Sequence, residues 1–179
     1  MTKYVALLRG IAPTNPNMRN DKLRGLFEKL GFSNVQTVLS SGNVLFESSS
    51  KSAKKLEGII EKALPEHLGF KSTTLIRSQK QLQKLVDKKP FKKMEHSQRS
   101  SLNVTFLKKK IHSDKKFPYK VENRDYTLLS MDEGVVCSVT DLTSAKTPDL
   151  MFWLEKTFGK EITTRTWKTV ERILKGMGQ

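Results

Sequence analysis

Between residues 3 and 77 the hydrophobic period of this chain switches repeatedly between strand and helix spacing, and the order of the switches restricts the fold more than any other feature. Tyr4, Val5, Ala6, Leu7 and Leu8 form an apolar run of the kind that makes a buried strand. A loop with Pro13, Thr14, Asn15, Pro16 and Asn17 follows. Asn20 then reads as a helix N-cap, Leu23, Leu26, Phe27 and Leu30 recur at helical spacing, and Gly31 supplies the stop. Residues 35–39 and 44–46 are strand-like, and Ser40-Ser41-Gly42-Asn43 between them makes a hairpin turn. After a polar linker at 48–52, Leu56, Ile59, Ile60, Ala63 and Leu64 mark a second helix closed by Gly69, and residues 73–76 give a fourth strand. The order β-α-β-β-α-β is that of the split βαβ, or ferredoxin-like, unit. It predicts an antiparallel sheet with strand order 4-1-3-2 and both helices on one face.

The rest of the chain approximates the same order with its first crossover helix weak or missing. Ser78 caps a short helix with Leu82, Leu85 and Val86 as its stripe. Residues 87–101 are polar and Lys-rich, hence loop, and 102–107 is a strand. The charged connection 108–120 has room for a helical turn. Strands at 126–131 and 135–140 flank Asp132-Glu133-Gly134, a second hairpin signal. Thr147 and Pro148 start a helix through Phe158, stopped by Gly159, and Ile162 and Thr163 make a brief strand. Trp167, Val170, Ile173, Leu174 and Met177 mark a last helix. The expected class is α+β: two ferredoxin-like (βαββαβ-type) subdomains packed together, with antiparallel sheets. The first spans 1–77. The second, 78–179, is irregular, with Lys-rich loops and a C-terminal helix.

Three segments carry a resemblance to a known family. They are Tyr4-Val5-Ala6-Leu7-Leu8-Arg9-Gly10-Ile11, then Leu30-Gly31-Phe32 through Ser41-Gly42-Asn43-Val44, then Thr163-Thr164-Arg165-Thr166-Trp167-Lys168-Thr169-Val170. Their order and spacing resemble the bacterial, uncharacterised family catalogued as domain of unknown function 1697, and within it a subgroup with a Pro/Asn-rich loop after Arg-Gly-Ile. The resemblance implies a pair of ferredoxin-like subdomains and no established activity. Common members carry a glycine-rich loop with a Lys near its end where this chain has Ala12-Pro13-Thr14-Asn15-Pro16-Asn17. Their Arg-Asn-Trp-Asn-Thr is here Arg165-Thr166-Trp167-Lys168-Thr169.

Charge supplies the leading functional expectation. Residues 71–120 hold 15 Lys or Arg against three acids, Asp87, Glu95 and Asp114, a net +12 of the chain's +15. A local basic stripe is the footprint of a polyanion binder. The candidates are Lys92, Lys93, Lys108, Lys109, Lys110, Lys115 and Lys116, and the partner nucleic acid or another polyanion. The competing reading is a solvated surface, since Lys outnumbers Arg 25 to 8 and Arg is the residue suited to bidentate phosphate contacts.

A second constellation is polar. Arg9 ends the first strand, Asn15 and Asn17 lie in the loop after it, Ser41 and Asn43 in the hairpin turn, and Thr164, Arg165 and Thr169 around the start of the last helix. Two guanidiniums with hydroxyls and amides suit an anion, and a helix N-terminus adds its dipole. This gives the first alternative, a small-molecule enzyme or binding domain acting on an anionic metabolite at Arg9, Asn43 and Arg165. The structural reading of the same residues is that Thr164 and Arg165 anchor the last helix and Ser41-Gly42-Asn43 only turns the chain. The second alternative is a scaffold that binds a protein through an exposed sheet face or edge.

Several classes are excluded. There is no Gly-x-x-x-x-Gly-Lys loop, no Gly-x-Gly-x-x-Gly and no nucleophile elbow. His67, His96 and His112 have no metal-ligand spacing, so no metal or cofactor is expected. The single cysteine, Cys137, flanked by Val135, Val136 and Val139, reads as a small buried hydrophobe and excludes an intramolecular disulfide. An RNA-recognition sheet needs exposed aromatics on its central strands. Tyr4 and Phe46 are better placed for packing. The apolar run broken at Arg9 is too short for a signal peptide or membrane span, so a cytoplasmic, non-membrane protein is expected.

Overall fold

The computed structural model describes residues 1–144 and 149–178. Its elements, in chain order, are β1 (Thr2–Leu8), a 3-10 turn (Pro16–Met18), α1 (Asn20–Lys29), β2 (Ser33–Thr37), β3 (Asn43–Ser48), α2 (Ala53–Leu68), β4 (Thr74–Ser78) and α3 (Gln79–Asp87). They continue with β5 (Ser100–Leu107), β6 (Tyr119–Lys120), β7 (Tyr126–Asp132), β8 (Val135–Asp141), α4 (Leu150–Phe158), β9 (Ile162–Thr166) and α5 (Trp167–Met177). Two compact units divide the chain: residues 1–84 with 171–179, and residues 85–170. A boundary drawn at 77/78 follows the sequence pattern. The compact units instead cut through α3 and α5, so the first unit also holds the start of α3 and the last turns of α5.

The first unit is a four-stranded antiparallel sheet in the order β2-β3-β1-β4, which is the expected 4-1-3-2. Tyr4, Ala6 and Leu8 of β1, Val44 and Phe46 of β3 and Ile76 of β4 share one face. They form a single core with Leu23, Leu26 and Phe27 of α1 and Leu56, Ile60, Ala63 and Leu64 of α2. Both helices therefore cover one face. Tyr4 and Phe46 stack inside this core with centroids 5.7 Å apart, as packing residues. Asn20 does not cap α1. Arg19 holds the N-cap position without a side-chain bond, and the Asn20 amide donates to Leu39 O (2.9 Å). Ser78 does cap α3, in a reciprocal box: its hydroxyl accepts from Gln81 N (3.2 Å) while Gln81 Oε1 accepts from Ser78 N (2.8 Å).

β4 is an edge strand, and its outward N–H groups are closed by side chains. Glu61 Oε1 accepts from Thr74 N (2.9 Å), Glu57 Oε1 from Ile76 N (3.0 Å), and Gln81 Oε1 from Ser78 N. Glu57 and Glu61 lie one turn apart on α2, so one helix face both packs the core and covers the sheet edge.

The second unit is a five-stranded antiparallel sheet ordered β6-β7-β8-β5-β9. Leaving out β6, this is again the split-unit order. No helical turn forms within 108–120. The connection is irregular and ends in β6, which pairs with β7 and extends the sheet. Glu133 and Gly134, both at positive φ (50° and 77°), make the two-residue β7–β8 hairpin loop. α4 and the apolar ends of the strands enclose a core of Leu107, Tyr126, Leu128, Val136, Leu154 and Ile162 with their neighbours. Thr147 and Pro148, the expected start of this helix, lie outside the described residues; the helix is described from Leu150 with Asp149 at its N-cap. The brief strand expected at 162–163 runs the full five residues to Thr166.

Candidate functional site

Five of the eight polar candidates belong to the first unit. β1 ends at Leu8, whose N–H donates to Gly42 O (2.8 Å), so Arg9 leaves the sheet beside the β2–β3 turn. Its backbone is held on both sides: Arg9 N donates to Thr73 O (3.0 Å), and Arg9 O accepts from the Ser72 hydroxyl (2.7 Å). Asn43 is buried, and its amide donates to Val38 O (2.9 Å) and Ser41 Oγ (3.1 Å), closing the hairpin turn from inside. Asn15 caps the 3-10 turn by accepting from Asn17 N (3.0 Å). The structure thus brings Arg9, Ser41 and Asn43 to one end of the sheet, and gives Asn43 and Asn15 turn-forming duties there.

Thr164, Arg165 and Thr169 belong to the second unit. Arg165 lies two residues before α5, but within β9 opposite Val104, because the strand continues through Thr164 and Arg165, which the sequence pattern read as anchoring the helix, to Thr166. β-branched Thr163, Thr164 and Thr166 suit a strand paired with β5. The Arg165 guanidinium donates to Thr163 Oγ1 (2.7 Å) and Thr164 O (3.0 Å), and burial lowers it to about 10, so it remains a cation at neutral pH. Thr166 is the residue that caps α5, its hydroxyl accepting from Thr169 N (3.4 Å). The Thr164 hydroxyl meets Thr105 Oγ1 (2.7 Å) and Met151 Sδ (2.8 Å).

All seven lysine candidates lie in the second unit. Within Lys88-Lys89-Pro90-Phe91-Lys92-Lys93, Phe91 is 6% exposed and packs on Trp167, ring centroids 5.1 Å apart. Successive turns closed by Lys92 N to Lys89 O (3.1 Å) and Met94 N to Phe91 O (2.9 Å) hold Lys92 and Lys93 exposed beside that anchor. Sequence reasoning missed the anchor; its signal is one aromatic inside a run of lysines. Lys108, Lys109 and Lys110 leave β5 where Leu107 N donates to Gly134 O (2.8 Å). Lys88 pairs with Asp132 at the same hairpin, whereas Trp167, on which Phe91 packs, follows Thr166, the partner of Asn103 toward the other end of β5. Lys109 pairs with Glu161 (3.2 Å). Lys110 and Lys116 are exposed, and the Lys115 ammonium lies over the Tyr119 ring, 4.2 Å from its centroid.

Residues 1–136 match the family model described as protein of unknown function, DUF1697. The chain belongs to that family. A conserved bacterial protein from Streptococcus pneumoniae has a similar structure, with a TM-score of 0.76 at 22% sequence identity over 100% of this chain and 99% of the other. At that identity the likeness is one of fold. None of the curated proteins compared matches the chain.

For this DUF1697 member, two of the three histidines have structural partners. His96 Nδ1 accepts from Leu102 N (3.2 Å), and His67 Nδ1 lies 3.3 Å from Lys29 Nζ. Cys137 is buried in β8, where desolvation pushes its thiol up to about 11. Among the described residues no group of three or more His, Cys, Asp or Glu is placed to hold a metal, and no helix is long and apolar enough to cross a membrane.

Proposed function

We propose that this protein binds a polyanion, with nucleic acid as the first candidate, through the lysines of residues 85–170. The observation that carries the reading is that two Lys runs are held on the folded second unit, one anchored by Phe91 on Trp167 and the other leaving β5 beside the β7–β8 hairpin. Lysines fixed to a folded surface lose less freedom when they meet phosphates than lysines on a loose tail. Lys rather than Arg in these runs favours sequence-independent contact with a charged backbone over bidentate readout of bases.

Binding of a short labelled oligonucleotide, followed by fluorescence anisotropy across a salt series, tests this. The affinity falls steeply with salt. The K108Q/K109Q/K110Q variant binds more weakly with a slope flatter by about 2–3, because each phosphate left without its lysine takes ~0.7–0.9 off the slope. Failure of the intact protein to bind at low salt removes the reading. An unchanged slope in the triple variant removes these three lysines from it.

A further inference from the structure

The face of the first sheet opposite α1 and α2 carries a pocket of about 170 Å³, lined by Lys3, Asn34, Gln36, Leu45, Glu47 and the last turn of α5 at Gly176 and Met177. The strand register explains it. Lys3 of β1 stands directly opposite Glu47 of β3, and Gln36 of β2 opposite Leu45, so these side chains share one face. Cross-strand neighbours have Cβ atoms about 4.5–5.5 Å apart, so Lys3 and Glu47 are placed to pair with each other. They do not. The Lys3 ammonium instead donates to Met177 O (2.7 Å), which also accepts from the Gln79 amide (3.1 Å). Between them these two side chains pin the end of α5. Gly176 allows the close approach, since a Cβ there would stand 2.9 Å from Leu45 Cδ1.

Holding Lys3 on the helix end leaves Glu47 half-buried with no hydrogen bond or ion pair among the described residues. The β2 irregularity between Ser33 and Gln36, with Asn34 at φ 50°, puts two amide-bearing residues on the rim of the same pocket. A carboxylate, an ammonium with donors to spare and two amides surround a space more than ten times the ~10–15 Å³ that one water needs. That space is below the ~300 Å³ at which drug-sized ligand sites begin, so it suits a molecule of few heavy atoms.

We propose that this pocket binds a small amino-carboxylate, its ammonium on Glu47 and its carboxylate on the remaining Lys3 donors, with Asn34 and Gln36 serving any further polar group. The site is independent of the lysine surface of the second unit. Exposure and size set the affinity on the order of 1 mM, which suits nuclear magnetic resonance titration. The probe is 4-aminobutanoate added to the full-length, amide-labelled protein, with butylamine and butanoate as single-charge controls. Saturable shifts are expected at the amides of Lys3, Gln36, Glu47 and Gly176, at least tenfold weaker for either control. E47Q removes the saturation while leaving the other amide signals in place, because Glu47 holds no structural bond. Absence of saturable shifts up to tens of millimolar overturns the site. Equal response to butylamine or butanoate, or an E47Q protein that titrates like the parent, overturns it as well.

Discussion

The side chains that close the edge of β4 make a sharp test of how the first sheet is held. Glu57 is 6% exposed, and its carboxylate accepts from the N–H of fully packed Ile76 at 3.0 Å. It is also a countercharge to buried Arg77. Desolvation pulls that guanidinium below its ordinary value, and the Glu57 charge opposes the pull. Replacing Glu57 by Ala deletes a charged hydrogen bond, ~1.5–3 kcal/mol, and leaves a buried donor open. It also removes an electrostatic partner from a buried cation, where breaking a pair costs about 3–5 kcal/mol. These contributions overlap, so the expected loss is about 3–4 kcal/mol. Glu61 is only half-buried, and its bond to Thr74 N should be worth about 1 kcal/mol in the corresponding Ala variant. Glu57→Gln keeps an acceptor for Ile76 but drops the charge, and belongs between the two. Urea unfolding gives the stabilities, and hydrogen exchange at the Ile76 and Thr74 amides reports each bond separately. A Glu57→Ala protein that loses no more than the ~0.5 kcal/mol of an ordinary surface change, with Ile76 exchange unaltered, refutes the reasoning.

Two further outcomes follow from single positions. Gly42 lies at φ 79°, and a Cβ there would sit 2.5 Å from Ile11 Cγ1 and 3.0 Å from Leu8 O; Gly42→Ala should cost more than about 1 kcal/mol in thermal or urea unfolding, and a neutral result would show that the turn is soft. The folded Cys137 thiol titrates near 11, above its ordinary 9.0, so the unfolded chain ionises first and the protein loses stability as pH rises from 9 to 11. The loss attributable to this thiol is about 2–3 kcal/mol. Cys137→Ala should lack that part of the alkaline slope, and an identical slope in both proteins counts against it.

Much of the fold was legible because local signals agreed with one another. In residues 3–77 each period change is bounded by a residue with a mechanical reason to be there. Gly31 and Gly69, at φ 83° and 75°, take the left-handed positions that end helices, and Gly42 takes the turn. The strand order then followed from the β-α-β-β-α-β succession, and both helices cover one face of the sheet. The errors fell where a side chain does something that spacing alone does not reveal. Asn20 looks like a cap but spends its amide across space on Leu39. The 108–120 connection has the charge pattern of a solvated helical turn. Its last residues, Tyr119 and Lys120, find partners in Leu128 and Thr127 and become a strand. Thr164 and Arg165 shortly precede a tryptophan at which a helix starts, so an anchoring role is the stronger local signal there than strand continuation. Pairing with residues 103–106 decides the matter, and that is tertiary information.

The candidate sites were less legible because composition windows ignore where chains fold. The basic stretch 71–120 straddles the division between the compact units: Lys71, Arg77, Lys80 and Lys84 fall in the first, the other eleven cations in the second. Arg77 is buried against α2 as part of the sheet's own electrostatics, and Lys88 and Lys109 have carboxylate partners. A sum of charges over sequence therefore overstates what a polyanion meets. What survives the folding is smaller and better defined, the exposed lysines beside Phe91 and those leaving β5. The polar cluster shows the opposite bias. Its members share side chains that could bind, yet Asn15, Asn43 and Thr164 make hydrogen bonds that shape their own turns and strand. By contrast Glu47, the one residue of β3 that is not fully buried, keeps a carboxylate uncommitted because the lysine across from it is used elsewhere. A residue's availability for binding depends on what its neighbours already hold, and that is decided by register, which one sequence exposes only in part.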